Sequence, residues 1–139
     1  ILPRAAPENL VTLTTSYDLG LALEQTTPRN RDLCLTNKLF TYLLAGVPVA
    51  YTPTQAQRLF ATTVGEAAIE LPLHEPATAA HRLDQYFATP SAQTQAREQA
   101  WKVAQSRYHW EFDAQEFLDS LQRALRDHRP SRPPSRRSV

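Results

Sequence analysis

The sequence predicts an α/β fold: a parallel sheet layered between helices, with further helices trailing behind it. Three observations lead there. Short continuous apolar runs occur at LGLAL (19–23), VPVAY (47–51) and AAIEL (67–71), the composition of strands buried on both faces. Helical patterns separate these runs, and alternation of that kind argues for a parallel sheet with crossover helices. From residue 75 onward only helical patterns remain.

The elements follow in order. In PENLVTLTT, Leu10, Val11 and Leu13 share one helical face and Pro7 suits a first turn. After the first strand, EQTTPRNRD (24–32) is expected to be a polar loop. Thr36 is then a good N-cap, and Leu39, Phe40, Leu43 and Leu44 form an apolar stripe. Gly46 is placed to stop that helix, with Pro48 just beyond. The second strand leads to a helix opened by Pro53 and Thr54 and closed by Gly65. After the third strand, a helix starts near Pro76 with Ala80, Leu83 and Phe87 on one face. Another restarts at Thr89-Pro90, and a last one carries Ala114, Phe117, Leu118, Leu121 and Leu125.

Composition limits the function classes. The chain is 42% hydrophobic and 21% charged, enough to bury a core. No apolar run approaches the eighteen residues of a membrane span, and no leader pattern opens the chain. A cytoplasmic protein is expected, with any membrane contact peripheral. One cysteine, Cys34, excludes an intrachain disulfide, and four scattered histidines give no zinc-ligand spacing. Neither a metal nor a cofactor is expected. The four arginines of residues 128–139 leave the rest of the chain at −3, so a nucleic-acid partner is not expected. That tail, rich in Pro, Ser and Arg, reads as disordered, which makes residues 1–127 the folded domain. There is no methionine, even at position 1, and three strands are few for an open α/β sheet. Both point to a segment of a longer protein, with the missing strands upstream.

Ligands of open parallel sheets bind beyond the carboxyl ends of the strands. Two places qualify: Glu24 with the loop to residue 36, and Tyr51-Thr52-Pro53-Thr54. At the helix start near Thr36 and Asn37 the first N–H groups have no helical partners, and the dipole adds positive character. Lys38 sits in the same turn, where it opposes the dipole. An anion between the two would explain the placement. A surface lysine beside an ordinary threonine cap explains it equally well.

SYDLGLALE, NKLFTYLLAGVPVAYT, AAIEL and SRYHWEFDAQEFLDSLQRAL, in this order and spacing, resemble the carboxyl-terminal half of a GT-B-fold glycosyltransferase of the "group 1" family. The resemblance covers residues 7–126. It implies a partial Rossmann-like domain that binds a nucleotide-sugar donor, facing an amino-terminal acceptor domain not present in this sequence. It places Thr36, Asn37 and Lys38 at the donor's diphosphate and Thr41 at the ribose, with Glu24 a further donor-side residue. The family's ribose-binding glutamate would stand at position 41, and an earlier one eight positions before it, at Leu33. Both acids are absent. The resemblance also implies that residues 110–126 cross back to the acceptor domain and expose apolar surface without it. Two other readings stay open: a non-catalytic binding module degenerated from that fold, and an unrelated receiver-like domain with an acidic pocket. A helix start contributes up to about 2 kcal/mol toward an anion and a charged hydrogen bond up to about 3, together near millimolar affinity. Donor binding of useful strength therefore needs contacts beyond this helix start.

Overall fold

The computed structural model describes residues 4–108 and 110–127. The expected basic tail, 128–139, lies outside the described residues. The described chain divides into two compact units, one ending at Tyr108 and one holding the last helix.

The first unit is built on three parallel strands, β1 (Gly20–Ala22), β2 (Val49–Tyr51) and β3 (Ala68–Glu70), in the order β1-β2-β3. Each falls inside an expected apolar run. Gly20 pairs with Val49 and Ala22 with Tyr51, while Val49 pairs with Ala68 and Tyr51 with Glu70. The central strand is buried throughout, as a two-sided strand must be.

Alternation along β2 separates two cores. Val49 and Tyr51, with Ala22, face α3 (Asn37–Leu44), α4 (Gln55–Val64) and α6 (Pro90–Arg107) through Leu39, Leu43, Phe60, Val64, Ala100, Val103 and Ala104. On the other face, Ala50 packs with Leu71 and with Ala79 of α5 (Pro76–Ala88), and Leu19, Ile69 and Leu83 join them. The expected three layers are present. The second face is covered unevenly, since Leu21, in register with Ala50, is 50% exposed.

The helix stops follow the sequence closely at α3. Gly46 has φ +65°, its N–H bonds to Leu43 O, and the N–H of Val47 bonds to Tyr42 O, both at 2.9 Å. That paired arrangement needs a left-handed residue, which only glycine adopts without penalty. Phe40, Phe60 and Tyr108 then close the end of this core as an aromatic trio, with centroids 5.3–6.3 Å apart. Tyr108 caps the end of α6 and does not begin the last helix.

Several expectations need correction. The loop 24–32 contains a short helix, α2 (Arg29–Leu33), that starts just after Pro28. The first helix, α1 (Leu10–Thr14), follows a 3-10 turn at Pro7–Asn9 and buries no residue; Leu10 and Leu13 are 43% and 50% exposed. Its trailing loop is held by side chains instead. Arg97 donates to Tyr17 O at 2.8 Å and Thr15 O at 3.1 Å, and Tyr86 donates to Asp18 O at 3.0 Å. That last bond also turns α5: Ala79 and Tyr86 are its buried residues, while Ala80 and Phe87 are exposed. The inward face sits about one residue away from the expected Ala80–Leu83–Phe87 stripe, with the buried Tyr86 ring directed inward and its hydroxyl reaching Asp18 O.

The second unit holds α7 (Trp110–Asp127). Trp110, Phe117, Leu118, Leu121 and Leu125 are all exposed, the apolar surface expected of this helix. The rings of Trp110 and Phe117 lie 6.0 Å apart, tilted by 54°, and Gln115 donates to Asp119 at 2.9 Å.

Candidate functional site

A cleft of about 550 Å³ opens at the carboxyl ends of the three strands. Glu24, Gln25 and Thr26 reach it from beyond β1. Thr52, Pro53 and Thr54 reach it from β2, Leu73 and His74 from beyond β3, and Arg58 from the first turn of α4. This is where a parallel sheet places ligands. Both places singled out from the sequence contribute to it.

The helix start at α3 lies beside the cleft. Thr36 occupies the N-cap position with extended backbone, but its hydroxyl makes no bond to the first turn. This corrects its expected capping role. The hydroxyl points instead to Glu24 Oε1, at 3.5 Å, longer than an ordinary O–H···O bond. Lys38 Nζ lies 2.7 Å from the same oxygen. The counter-charge for the awkward lysine is thus inside the chain, twelve and fourteen residues upstream of Thr36 and Lys38. The Lys38 hydrogen bond holds the Glu24 carboxyl below its usual range against the opposing effect of burial, with Lys38 and Arg31 charges and Thr36 assisting.

Glu24 is fixed from behind by Thr52. The Glu24 N–H donates to Thr52 Oγ1 at 2.8 Å, and that hydroxyl lies 2.6 Å from Glu24 O. It is also 3.3 Å from Oε1 of the fully buried Gln57. A hydroxyl has one proton, and the shorter contact to Glu24 O takes it. Among the described residues Gln57 Nε2 has no partner.

The two helix starts differ. At α4, Thr54 Oγ1 accepts from Gln57 N at 3.2 Å and Asp32 Oδ1 accepts from Gln55 N at 2.9 Å. Two of its first-turn N–H groups are thus met by the chain's own side chains. The first turn of α3 has no side-chain cap.

Of the sequence candidates, Glu24, Thr36 and Lys38 meet at one carboxylate oxygen. Asn37 begins α3 and is exposed. Thr41 is turned onto its own helix, donating to Asn37 O at 3.3 Å. Sequence reasoning marked Thr52 by place only and missed Gln57, Arg58 and Asp32. It also missed a second cluster at the ends of β2 and β3. There Glu70 accepts from Arg82 at 3.2 Å, lies 3.9 Å from Arg58, and meets the Tyr51 hydroxyl at 3.5 Å. Burial, and then Glu70, push the Tyr51 hydroxyl above its usual range. Long sequence separations and ordinary residue types left these without a motif.

Among the described residues no group of three His, Cys, Asp or Glu could hold a metal ion, and no helix is long and apolar enough to cross a membrane. No family model, no curated protein and no solved structure matches the chain.

Proposed function

We propose that the chain is the donor-binding segment of a glycosyltransferase that moves a sugar from a nucleotide-diphosphate donor to an acceptor. In this reading the α3 start at Thr36–Asn37 and the Lys38 ammonium receive the diphosphate. Thr41 is a weak ribose contact and Glu24 a donor-side residue. In this reading an amino-terminal domain holds the acceptor, and catalysis needs that domain. No cofactor is invoked. A cytoplasmic location accompanies this reading, with any membrane contact peripheral.

The observation that carries it is the conjunction of an open parallel sheet, a cleft at its carboxyl end, and an uncapped helix start with a lysine beside that cleft. The resemblance of NKLFTYLLAGVPVAYT adds the substrate class. Two contacts favour a second reading, a non-catalytic binding module of the same fold. The Thr41 hydroxyl is engaged with Asn37 O, and Lys38 is already paired. Release of nucleoside diphosphate from sugar nucleotides by the full-length protein separates the two. Turnover that falls at least tenfold in Lys38→Ala supports the enzyme. Binding without turnover across sugar nucleotides and acceptors supports the module.

A further inference from the structure

The apolar stripe of α7 runs through Trp110, Ala114, Phe117, Leu118, Leu121 and Leu125, and all of these but Ala114 are exposed. Its spacing is symmetric about its own centre. Phe117 and Leu118 stand in the middle, Ala114 and Leu121 lie three places outward, and Trp110 and Leu125 lie seven. The charges are divided between the two ends. Glu111, Asp113, Glu116 and Asp119 give residues 110–119 a net charge of −4, with no base among them. Residues 120–139 hold six arginines against one acid, Asp127, a net charge of +5.

We infer that α7 is a self-association surface, pairing antiparallel with α7 of a second copy of this chain. Across a two-fold axis, residue i faces residue j and j faces i, so the paired surface must match itself when reversed. The stripe does. Centred between Phe117 and Leu118, an antiparallel pair sets Trp110 level with Leu125 of the other copy, and the small Ala114 level with the larger Leu121. The same arrangement lays the −4 end of each helix beside the +5 end of the other, whereas a parallel pair would set like charges together. Among the described residues, Arg123 and Arg126 reach uncharged partners, Ser120 Oγ at 3.0 Å and Gln122 O at 3.3 Å. The resemblance assigned this helix to an acceptor domain; the inference departs from it there and does not rest on the donor-site reading. A lipid surface suits the stripe less well, because anionic headgroups repel the acidic end. One pair of helices of about five turns falls short of a standard interface of about 1,600 Å², so a reversible dimer of micromolar affinity is expected.

The test is sedimentation velocity of the full-length protein and its Leu118→Asp variant from about 1 to about 100 µM. Disulfide trapping accompanies it, in a Cys34→Ser background that removes the exposed native thiol. The protein is expected to pass from monomer to dimer across that range, and Leu118→Asp to weaken association by about tenfold or more. On oxidation, Leu118→Cys is expected to link to its own copy. Trp110→Cys and Leu125→Cys are expected to link to each other when mixed, and neither to itself. A monomer throughout the range overturns the inference and leaves the stripe to an acceptor domain or a membrane. Dimerisation undiminished in Leu118→Asp overturns it too, as does self-linking of Trp110→Cys, the mark of a parallel pair. If Leu118→Asp does not fold, the mixed-cysteine link decides, and its absence overturns the inference equally.

Discussion

Glu24 shows how a single carboxylate can set the chemistry of a helix start. Lys38 opposes the α3 dipole, and the Glu24 oxygen 2.7 Å away offsets that penalty. Because the folded protein holds this carboxyl below its ordinary value of about 4.5, its contribution is present above that pH. It is lost as pH falls through the lower, folded value. The stability difference between the protein and Glu24→Gln, followed by urea unfolding, is therefore expected to vanish as pH drops well below 4.5. At neutral pH it should be at most about 1 kcal/mol, since Lys38 is partly solvated. A difference that grows on acidification would contradict the pairing. Gly46 makes a second case at this scale. Its φ of +65° carries the two bonds that end α3, and Gly46→Ala is expected to lower stability by about 1–2 kcal/mol in the same assay. Both sites differ in how far the sequence disclosed them. A glycine after an apolar helical stripe announces a left-handed stop. Nothing in EQTTPRNRD announces that its first residue meets a lysine fourteen positions on.

At the scale of elements, the strands and long helices were legible because their patterns are continuous. Each continuous apolar run became a strand, the central one buried throughout, and the α3 stripe meets the core through Leu39 and Leu43. Two of the misreadings share a cause. The loop after α1 and the face of α5 are set by bonds from Arg97 and Tyr86 to distant backbone carbonyls, and periodicity does not register such bonds. α2 is too short for any periodic signal. Two substitutions probe the packing. Leu43 is fully buried between α3 and the sheet, so Leu43→Ala is expected to lower stability by about 2–5 kcal/mol. Gly20 lies under the Tyr42 ring, where a Cβ would come within 2.4 Å of ring carbons. Gly20→Ala is expected to destabilise by about 1–3 kcal/mol through displacement of that ring. Gly20→Ala combined with Tyr42→Ala should then show less than the sum of the two single effects.

At the scale of the whole molecule, the first unit is a small open sheet with its cleft where the strands end. The second is a helix with an exposed apolar stripe. The location of the cleft was legible, since strand polarity alone dictates which edge of a parallel sheet receives a ligand. The state of the helix start was not. Thr36 was expected to cap α3, and Lys38 to await an outside anion. Both instead address Glu24, because residues separated by a strand end and a short helix converge only once the sheet has formed. Calorimetry of nucleoside diphosphates against the full-length protein and its Lys38→Ala variant tests the donor-site assignment most directly. Measurable binding that weakens at least tenfold in the variant is expected, the loss of one charged hydrogen bond of about 1.5–3 kcal/mol. An affinity identical in the two proteins would contradict the assignment.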